Sequence, residues 1–110
     1  MSATVSFQVG GIYSTDDGGG RYGVVKLLAH EDGICHVRLY KQQFSTRPAT
    51  LDLSTLSLGR AGELDFGIGH LPIREAEFLH WQPVIVATSS VTPEEQEAYH
   101  EWKRARGGAF

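Results

Sequence analysis

The sequence lacks the features that mark secreted, disulfide-stabilised and membrane-spanning proteins. Its 110 residues include a single cysteine, Cys35, so no disulfide forms within the chain. No stretch approaches the roughly 18 consecutive apolar residues of a membrane span, and the N-terminus has no basic segment followed by an apolar run. We therefore expect a cytoplasmic protein with no membrane partner.

Motifs of the common catalytic and cofactor-binding sites are missing as well. No Lys-Ser or Lys-Thr pair follows the three glycines at residues 18–20, which excludes a P-loop. The chain has no G-x-S-x-G or H-E-x-x-H motif, and its five histidines lack the Cys/His spacing of zinc sites. We expect no catalytic residues, no metal and no cofactor.

The net charge is small, −3 at pH 7, but it is unevenly distributed. Residues 48–80 hold two basic residues against five acidic ones, a net charge of −3. Residues 21–47 hold two acidic residues and five basic ones, a net charge of +3, and the basic residues are Arg21, Lys26, Arg38, Lys41 and Arg47. A local patch of this kind attracts anionic partners even where the net charge opposes it.

Two apolar-rich runs within residues 21–40 predict a β-hairpin. A three-residue loop of Glu31, Asp32 and Gly33, with Gly33 at the positive φ of a bulge, gathers apolar residues on one face. The pairs on that face are Ala29/Cys35, Leu27/Val37 and Val25/Leu39. The pairs on the other face are His30/Ile34, Leu28/His36, Lys26/Arg38 and Val24/Tyr40. A two-residue turn mixes charged and aliphatic residues on both faces, so the pattern favours the longer loop and makes Cys35 a buried, unreactive thiol.

The segments on either side of the hairpin are less regular. A first short strand is expected to end near Tyr13, before a glycine-rich loop. Leucines at changing spacings predict a short strand and a bend within residues 49–59. The glycine-dense residues 59–72 predict an irregular loop that packs against the sheet.

Two helices and one further strand are predicted near the C-terminus. Residues 73–80 fit two helical turns, with Ile73, Ala76, Phe78 and Leu79 directed inward, and the apolar run 84–87 fits a buried strand. Thr92 is followed by a proline and, three residues after it, by Glu95, which is the pattern of a capped helix start. The helix is expected over residues 93–106, with a stripe of Ala98, Tyr99, Trp102 and Ala105 that docks through Tyr99 and Trp102.

Three runs near the N-terminus resemble the opening of SH3-like barrels of the Tudor and KOW type. They are Val9-Gly-Gly-Ile-Tyr13, Gly20-Arg-Tyr-Gly-Val-Val-Lys-Leu-Leu28 and Gly33-Ile-Cys-His-Val-Arg-Leu-Tyr40. The resemblance covers about the first 40 residues and implies a barrel. The predicted fold is therefore mainly β with α: a small SH3-like β-barrel or a strongly bent antiparallel sheet, elaborated by a short helix and a C-terminal helix. We expect one domain over residues 1–110, with residues 1–58 as its β core.

The opposition of Lys26 and Arg38 on the hairpin is the feature that points to binding. Like charges directly opposite each other on two strands are destabilising by up to about 1 kcal/mol, so a nearby anion would relieve them. Three alternatives follow: the charges are relieved by an intrachain carboxylate, for instance Asp16, Asp17, Glu63 or Asp65, they are screened by solvent alone, or they meet an acidic segment of a partner protein.

The partner alternative defines a predicted binding surface on the solvent face of the hairpin, formed by Tyr22, Lys26, His36, Arg38 and Tyr40. The function that follows is a non-catalytic protein-interaction module, such as an inhibitor or an immunity-type protein. The alternative is a nucleic-acid-binding regulator that uses the same basic hairpin. The negative net charge favours the protein partner, and nothing in the sequence indicates the oligomeric state.

Overall fold

The computed structural model of the protein describes residues 7–16, 18–58, 67–105 and 107–109. In chain order its elements are β1 (Gly11–Asp16), β2 (Tyr22–Glu31), β3 (Ile34–Phe44), a 3-10 helix (Leu53–Thr55), β4 (Ile68–Arg74), α1 (Glu75–His80), β5 (Val84–Thr88) and α2 (Pro93–Arg104). The strands form one antiparallel sheet in the order β4-β3-β2-β1-β5. A mainly β fold with two helices is confirmed. The SH3-like barrel is not confirmed, because β4 and β5 lie at opposite edges of a sheet that does not close within the described residues.

The hairpin between β2 and β3 turns on two residues rather than three. Asp32 has φ 54° and Gly33 has φ 76°, and Glu31 lies directly opposite Ile34. Two consecutive positive φ values are the signature of a type I′ turn, for which Asp-Gly is a preferred sequence. The prediction of a three-residue loop is therefore wrong.

A β-bulge within β2 corrects the register that the short turn would otherwise impose. His30 lies opposite Cys35 and Ala29 opposite His36, but the register shifts between Leu27 and Ala29. Beyond the shift the pairs are Leu27/Val37, Lys26/Arg38 and Val25/Leu39. These three predicted pairs are confirmed, whereas Ala29/Cys35, His30/Ile34 and Leu28/His36 are wrong.

The bulge also separates two histidines that were predicted to share one face. The ring of His30 lies 4.7 Å from that of Phe7, beside the core. The ring of His36 lies against Tyr99 and Trp102 of α2 on the opposite face. A second register shift lies between Gly23, opposite Gln43, and Val25, opposite Leu39. Val24 therefore stands at an irregular position, and its predicted pairing with Tyr40 stays a prediction.

One face of the sheet forms the hydrophobic core beneath α1. Its buried members are Tyr13, Val25, Leu27, Cys35, Val37, Ile73 and Phe78. The Phe78 ring from α1 and the Tyr13 ring form a T-shaped pair with their centroids 5.6 Å apart. On the predicted apolar face of the hairpin, Val25, Leu27 and Val37 are buried, whereas Leu39 is half-buried. Cys35 is fully buried as expected, and this burial raises the pKa of its thiol to about 12, so the nucleophilic thiolate does not form at neutral pH.

Several predicted boundaries and element types differ in the structure. β1 continues to Asp16 rather than ending near Tyr13. The strand predicted within residues 49–59 is replaced by the 3-10 helix, which Asp52 caps. Residues 68–72 of the predicted loop belong to β4, an edge strand that tolerates Pro72, while residues 59–66 lie outside the described residues.

The helix after β4 and the strand that follows it also differ from expectation. α1 begins only at Glu75, and Phe78 is its one buried residue, whereas Ala76 and Leu79 are exposed. β5 is present, but Val84 and Ile85 are exposed rather than buried because the strand lies at the edge of the sheet. Apolar composition alone does not distinguish an edge strand from a central one.

The C-terminal helix begins as the sequence predicts. The Thr92 hydroxyl accepts a hydrogen bond from the Glu95 N–H at 3.2 Å, and the Glu95 carboxylate accepts one from the Thr92 N–H at 3.0 Å. Tyr99 is buried against the sheet and Trp102 is half-buried, while Ala98 and Ala105 are exposed. Within the described part of the chain, neither α1 nor α2 has the length and apolar character needed to cross a membrane.

Replacing Val37 by alanine tests the core. The Val37 side chain is fully buried, so Val37→Ala leaves a cavity and should lower the free energy of unfolding by about 2 kcal/mol. Val9→Ala makes the same chemical change at a side chain that is 50% exposed and should change stability by less than about 0.5 kcal/mol. Urea unfolding of both variants measures the difference, and equal effects would contradict this core.

Candidate functional site

Helix α2 covers the hairpin face on which the sequence predicts an open binding surface. Lys26 is only 3% exposed and His36 is fully buried. The expected exposure of these two residues is wrong, because the chain returns after β5 and lays α2 across that face. Tyr22, Arg38 and Tyr40 remain half-buried.

The Lys26 ammonium is held by groups from the segment that enters α2. Its Nζ donates to the Ser90 carbonyl at 2.7 Å and to the two Glu95 carboxylate oxygens at 2.9 and 3.1 Å. The charge of Lys26, opposite Arg38, is therefore relieved by an intrachain carboxylate, which is one of the three alternatives. The residue is Glu95, which lies 69 positions along the chain and was not among the candidates.

Glu95 joins the cap of α2 to this buried ion pair. Burial by itself raises the pKa of the Glu95 carboxyl, but hydrogen bonds from the Thr92 backbone and from Lys26 outweigh it and lower the pKa. The Glu95 side chain is 15% exposed and that of Lys26 is 4% exposed. One carboxylate therefore satisfies an otherwise unpaired helix N–H and neutralises a buried cation.

Two stacked histidines lie beneath the second half of α2. The His36 Nδ1 and the His70 Nε2 are 2.9 Å apart, and the two ring planes are inclined by only 8°. Trp102 meets the His36 ring at 4.5 Å with an interplanar angle of 69°. Two imidazoles alone do not make a metal centre, and the described residues contain no group of three or more His, Cys, Asp or Glu side chains that could hold a metal ion.

The His36 Nε2 is buried and has no hydrogen-bond partner within the described part of the chain. Since an unpaired N–H would cost more than an unpaired lone pair here, the favoured tautomer carries its proton on Nδ1 and donates to His70. Burial, followed by the proximity of His70, lowers the pKa of His36 to about 4. Burial lowers the pKa of His70 as well.

The far end of α2 is fastened to the hairpin turn through Glu31. The Tyr99 hydroxyl donates to the Glu31 carboxylate at 2.5 Å, and the Lys103 ammonium donates to both of its oxygens at 3.0 Å. These bonds, that of Tyr99 first, lower the pKa of Glu31. Lys26 and Glu31 therefore hold the two ends of α2 against the same hairpin.

The opposite end of the hairpin presents a basic groove of about 520 Å³. The groove is lined by Gly19, Gly20, Arg21, Lys41, Gln43, Phe44 and Ser45. Tyr22 lies opposite Phe44 at this end, and the Arg47 guanidinium lies 5.1 Å from the centre of the Tyr22 ring. We call this region, Arg21, Tyr22, Lys41, Phe44 and Arg47, the basic end of the hairpin.

The two guanidinium groups of the basic end are held by neutral acceptors. Arg21 donates to the Gln43 side-chain oxygen at 3.1 Å. Arg47 donates to the Ser14 carbonyl at 3.1 Å and to the Ser14 hydroxyl at 2.8 Å. Neither arginine forms an ion pair with any acid in the described ranges.

A second cavity, of about 430 Å³, adjoins the basic groove. It lies between the ends of β1, β2 and β3 and the turn that follows α1, and it is lined by Thr15, Asp16, Gly18, Gly23, Val24, Val25, Leu39, Tyr40, Gln43, His80, Trp81 and Gln82. Gln43 lines both concavities. The Asp16 N–H anchors the wall by donating to the Trp81 carbonyl at 2.7 Å.

Comparison with known proteins leaves the geometry as the guide to function. No protein-family model, curated protein or solved structure matches this chain. The resemblance to Tudor and KOW modules stays a prediction.

The structure divides the five predicted site residues into two places. Lys26 and His36 lie under α2, and Tyr22 lies at the basic end. Arg38 and Tyr40 lie between them on β3 and are half-buried. Sequence reasoning included Arg21 and Arg47 in the basic segment but did not place them in the site. The excess of +3 over residues 21–47 was the available signal.

Removing Glu95 tests the buried ion pair. Glu95→Ala leaves the Lys26 ammonium with Ser90 as its one remaining acceptor among the described residues, and we expect a loss of about 3 kcal/mol in the free energy of unfolding. Glu94→Ala is the matched control on the exposed face of the same turn and should cost less than about 0.5 kcal/mol. Adding Lys26→Met to Glu95→Ala removes the unpaired cation and should restore part of the lost stability. If chemical denaturation shows that the double variant is no more stable than Glu95→Ala, the prediction is contradicted.

The buried histidines predict a loss of stability in acid. The unfolded chain binds a proton at each imidazole near pH 6.5, whereas the folded chain resists protonation of His36 until about pH 4. The stabilising contribution is therefore complete above pH 6.5 and is lost as the pH falls from there towards 4.

The acid effect is measured as the difference in urea midpoint between the wild type and His36→Gln across that pH range. The wild type should lose more stability than the variant on acidification, although Glu31 nearby favours the protonated imidazole and Lys103 opposes it. His80→Gln, at an exposed position, should follow the wild type. Parallel curves for the wild type and His36→Gln would contradict the prediction.

Proposed function

We propose that this protein is a non-catalytic protein-interaction module that binds an acidic segment of a partner through the basic end of its hairpin. The observation that carries the proposal is the set of hydrogen-bond partners of Arg21 and Arg47. Both guanidinium groups are positioned by neutral acceptors, and neither is neutralised by a described acid. A module of this kind acts by occupying its partner, as an inhibitor or an immunity-type protein does.

Arginine suits a carboxylate-rich partner for a geometric reason. Its planar guanidinium presents several N–H donors that match the two oxygens of a carboxylate. The described hydrogen bonds of Arg21 and Arg47 use only Nη1 in each case, so further donors are left for a ligand. Orientation by Gln43 and Ser14 reduces the conformational entropy that binding would otherwise cost.

Aromatic side chains beside these arginines support a protein partner. Tyr22 and Phe44 lie opposite each other across β2 and β3, and both are half-buried. Tyrosine, phenylalanine and arginine are enriched where protein interfaces concentrate their binding energy. The negative net charge of the chain weakens long-range attraction to nucleic acid, which bears a charge on every phosphate.

The inner residues of the hairpin have a structural role in this proposal. Lys26 and His36 hold α2 and are withdrawn from solvent. The same burial makes them, together with the Cys35 thiol, unsuitable as acid, base or nucleophile towards a substrate in solution. The proposed contact surface therefore moves from the middle of the hairpin to its open end and keeps Tyr22 from the original set.

Charge reversal at the basic end tests the proposal. A fluorescent glutamate-rich peptide is titrated with the wild type and with a variant carrying Arg21→Glu and Arg47→Gln, in which the new glutamine keeps a donor for Ser14. Affinity should fall at least about tenfold in the variant, which corresponds to about 1.4 kcal/mol. Arg104→Glu, which makes the same change of charge as Arg21→Glu at an exposed position of α2, should leave affinity within about twofold.

Salt dependence and capture from the native cell lysate complete the experiment. Single- and double-stranded DNA are titrated in parallel at about 50 and about 200 mM salt. If the protein binds DNA tightly, with an affinity that falls steeply as the salt concentration rises, and does not bind the peptide, the result favours the nucleic-acid regulator. A protein captured from lysate by the wild type and by Arg104→Glu but lost with the charge-reversed variant supports the proposal, whereas equal capture by all three contradicts it.

A further inference from the structure

The cavity beside the basic groove has the composition of a pocket for an apolar side chain. Its volume of about 430 Å³ lies within the range of about 300–1,000 Å³ that is usual for ligand sites. Its lining includes the aliphatic residues Val24, Val25 and Leu39 and the aromatic residues Tyr40 and Trp81, beside the polar residues Thr15, Asp16, Gln43, His80 and Gln82. Such walls favour burial of a large apolar group over a charged one.

The polar groups of the lining restrict what that apolar group is. Among the described residues of the lining, Asp16 is the one carboxylate, and neither a lysine nor an arginine accompanies it. Its Oδ1 accepts from the Gly18 N–H at 2.8 Å, and its second oxygen has no partner in the described ranges. An acidic side chain is therefore disfavoured in the cavity, whereas a neutral side chain with an N–H donor is accepted.

The position of the cavity connects it to the basic end. Gln43 lines both the cavity and the basic groove, and it is also the residue that accepts from Arg21. Neighbouring glycines of one loop continue the two walls, Gly18 in the cavity and Gly19 and Gly20 in the groove. A single extended segment can therefore contact both concavities.

We propose that the cavity receives an aromatic side chain of the partner, best a tryptophan whose indole N–H donates to Asp16, while acidic residues beside it in the partner sequence meet Arg21 and Arg47. This inference rests on the proposed function and adds the chemistry of the recognised segment: acidic residues that flank one aromatic anchor. Interfaces commonly concentrate their energy in one such buried anchor with charged groups at its rim.

Three peptides of equal charge and length test the anchor. Each is glutamate-rich and carries tryptophan, phenylalanine or alanine at one central position. The tryptophan peptide should bind at least about tenfold more tightly than the alanine peptide, with the phenylalanine peptide between them. Equal affinity of all three for the wild type overturns the inference.

Variants of the cavity assign any preference to its walls. Asp16→Ala should lower the affinity of the tryptophan peptide to that of the phenylalanine peptide, and Trp81→Ala should remove most of the preference for either aromatic residue. Because Trp81 also packs against Phe78, Gly23→Val provides a second route by adding bulk to the lining. A preference for tryptophan that survives both Trp81→Ala and Gly23→Val overturns the assignment to this cavity.

An uncharged probe separates this inference from the proposed function. N-acetyl-tryptophanamide carries the anchor without acidic residues, and amide chemical shifts of Gly18, Gly23 and Gln43 report its binding. Equal binding of the three peptides that still requires Arg21 would overturn the anchor while the proposed function stands. Binding of the probe with no affinity for any acidic peptide would overturn the combined recognition and the proposed function while locating an aromatic site in the cavity.

Discussion

The buried ammonium of Lys26 is the constraint that the arrangement around the hairpin satisfies. An unpaired cation at this depth would cost several kcal/mol, so a carboxylate has to reach the middle of β2. The chain delivers it at the first turn of α2, where Glu95 also caps the helix. The start of α2 is thereby fixed over Lys26, and the remainder of the helix extends towards the hairpin turn, where Glu31 receives Tyr99 and Lys103.

Local sequence specifies some parts of the fold but does not specify the pairing of Lys26 with Glu95. The capping pattern around Thr92 specifies the start of α2, and the alternation in β2 and β3 specifies the pairs Val25/Leu39 and Leu27/Val37. Both signals lie within a few residues of the structure they specify. Lys26 and Glu95 are 69 positions apart in the chain, and no local pattern indicates that they pair. The sequence therefore predicts that α2 docks on the domain but not where it docks. The hairpin face that α2 covers is accordingly predicted to be exposed.

The error at the hairpin has a similar origin. Asp32-Gly33 is a preferred sequence for a type I′ turn. With that turn and a strand without a bulge, charged and aliphatic residues would mix on both faces of the hairpin, so the pattern favours a longer loop. The chain instead keeps the favoured turn and absorbs the mismatch in a bulge between Leu27 and Ala29. A bulge of this kind has no composition that a single sequence reveals, because the extra residue, Leu28, is an aliphatic residue that fits a regular strand equally well.

The use of the charges gives the strongest argument about function. Glu95 neutralises Lys26, Glu31 neutralises Lys103 and Glu75 meets His30, so these carboxylates are committed to holding α1 and α2 around the sheet. Arg21 and Arg47 are instead fixed by amide, hydroxyl and carbonyl oxygens, which orient a guanidinium without cancelling its charge. Orientation without neutralisation leaves a positive site prepared for an external anion. The adjoining cavity has apolar walls and the Asp16 carboxylate in its lining, so it favours an uncharged, apolar neighbour of that anion. Acidic residues next to an aromatic one are the combination that satisfies both surfaces at once.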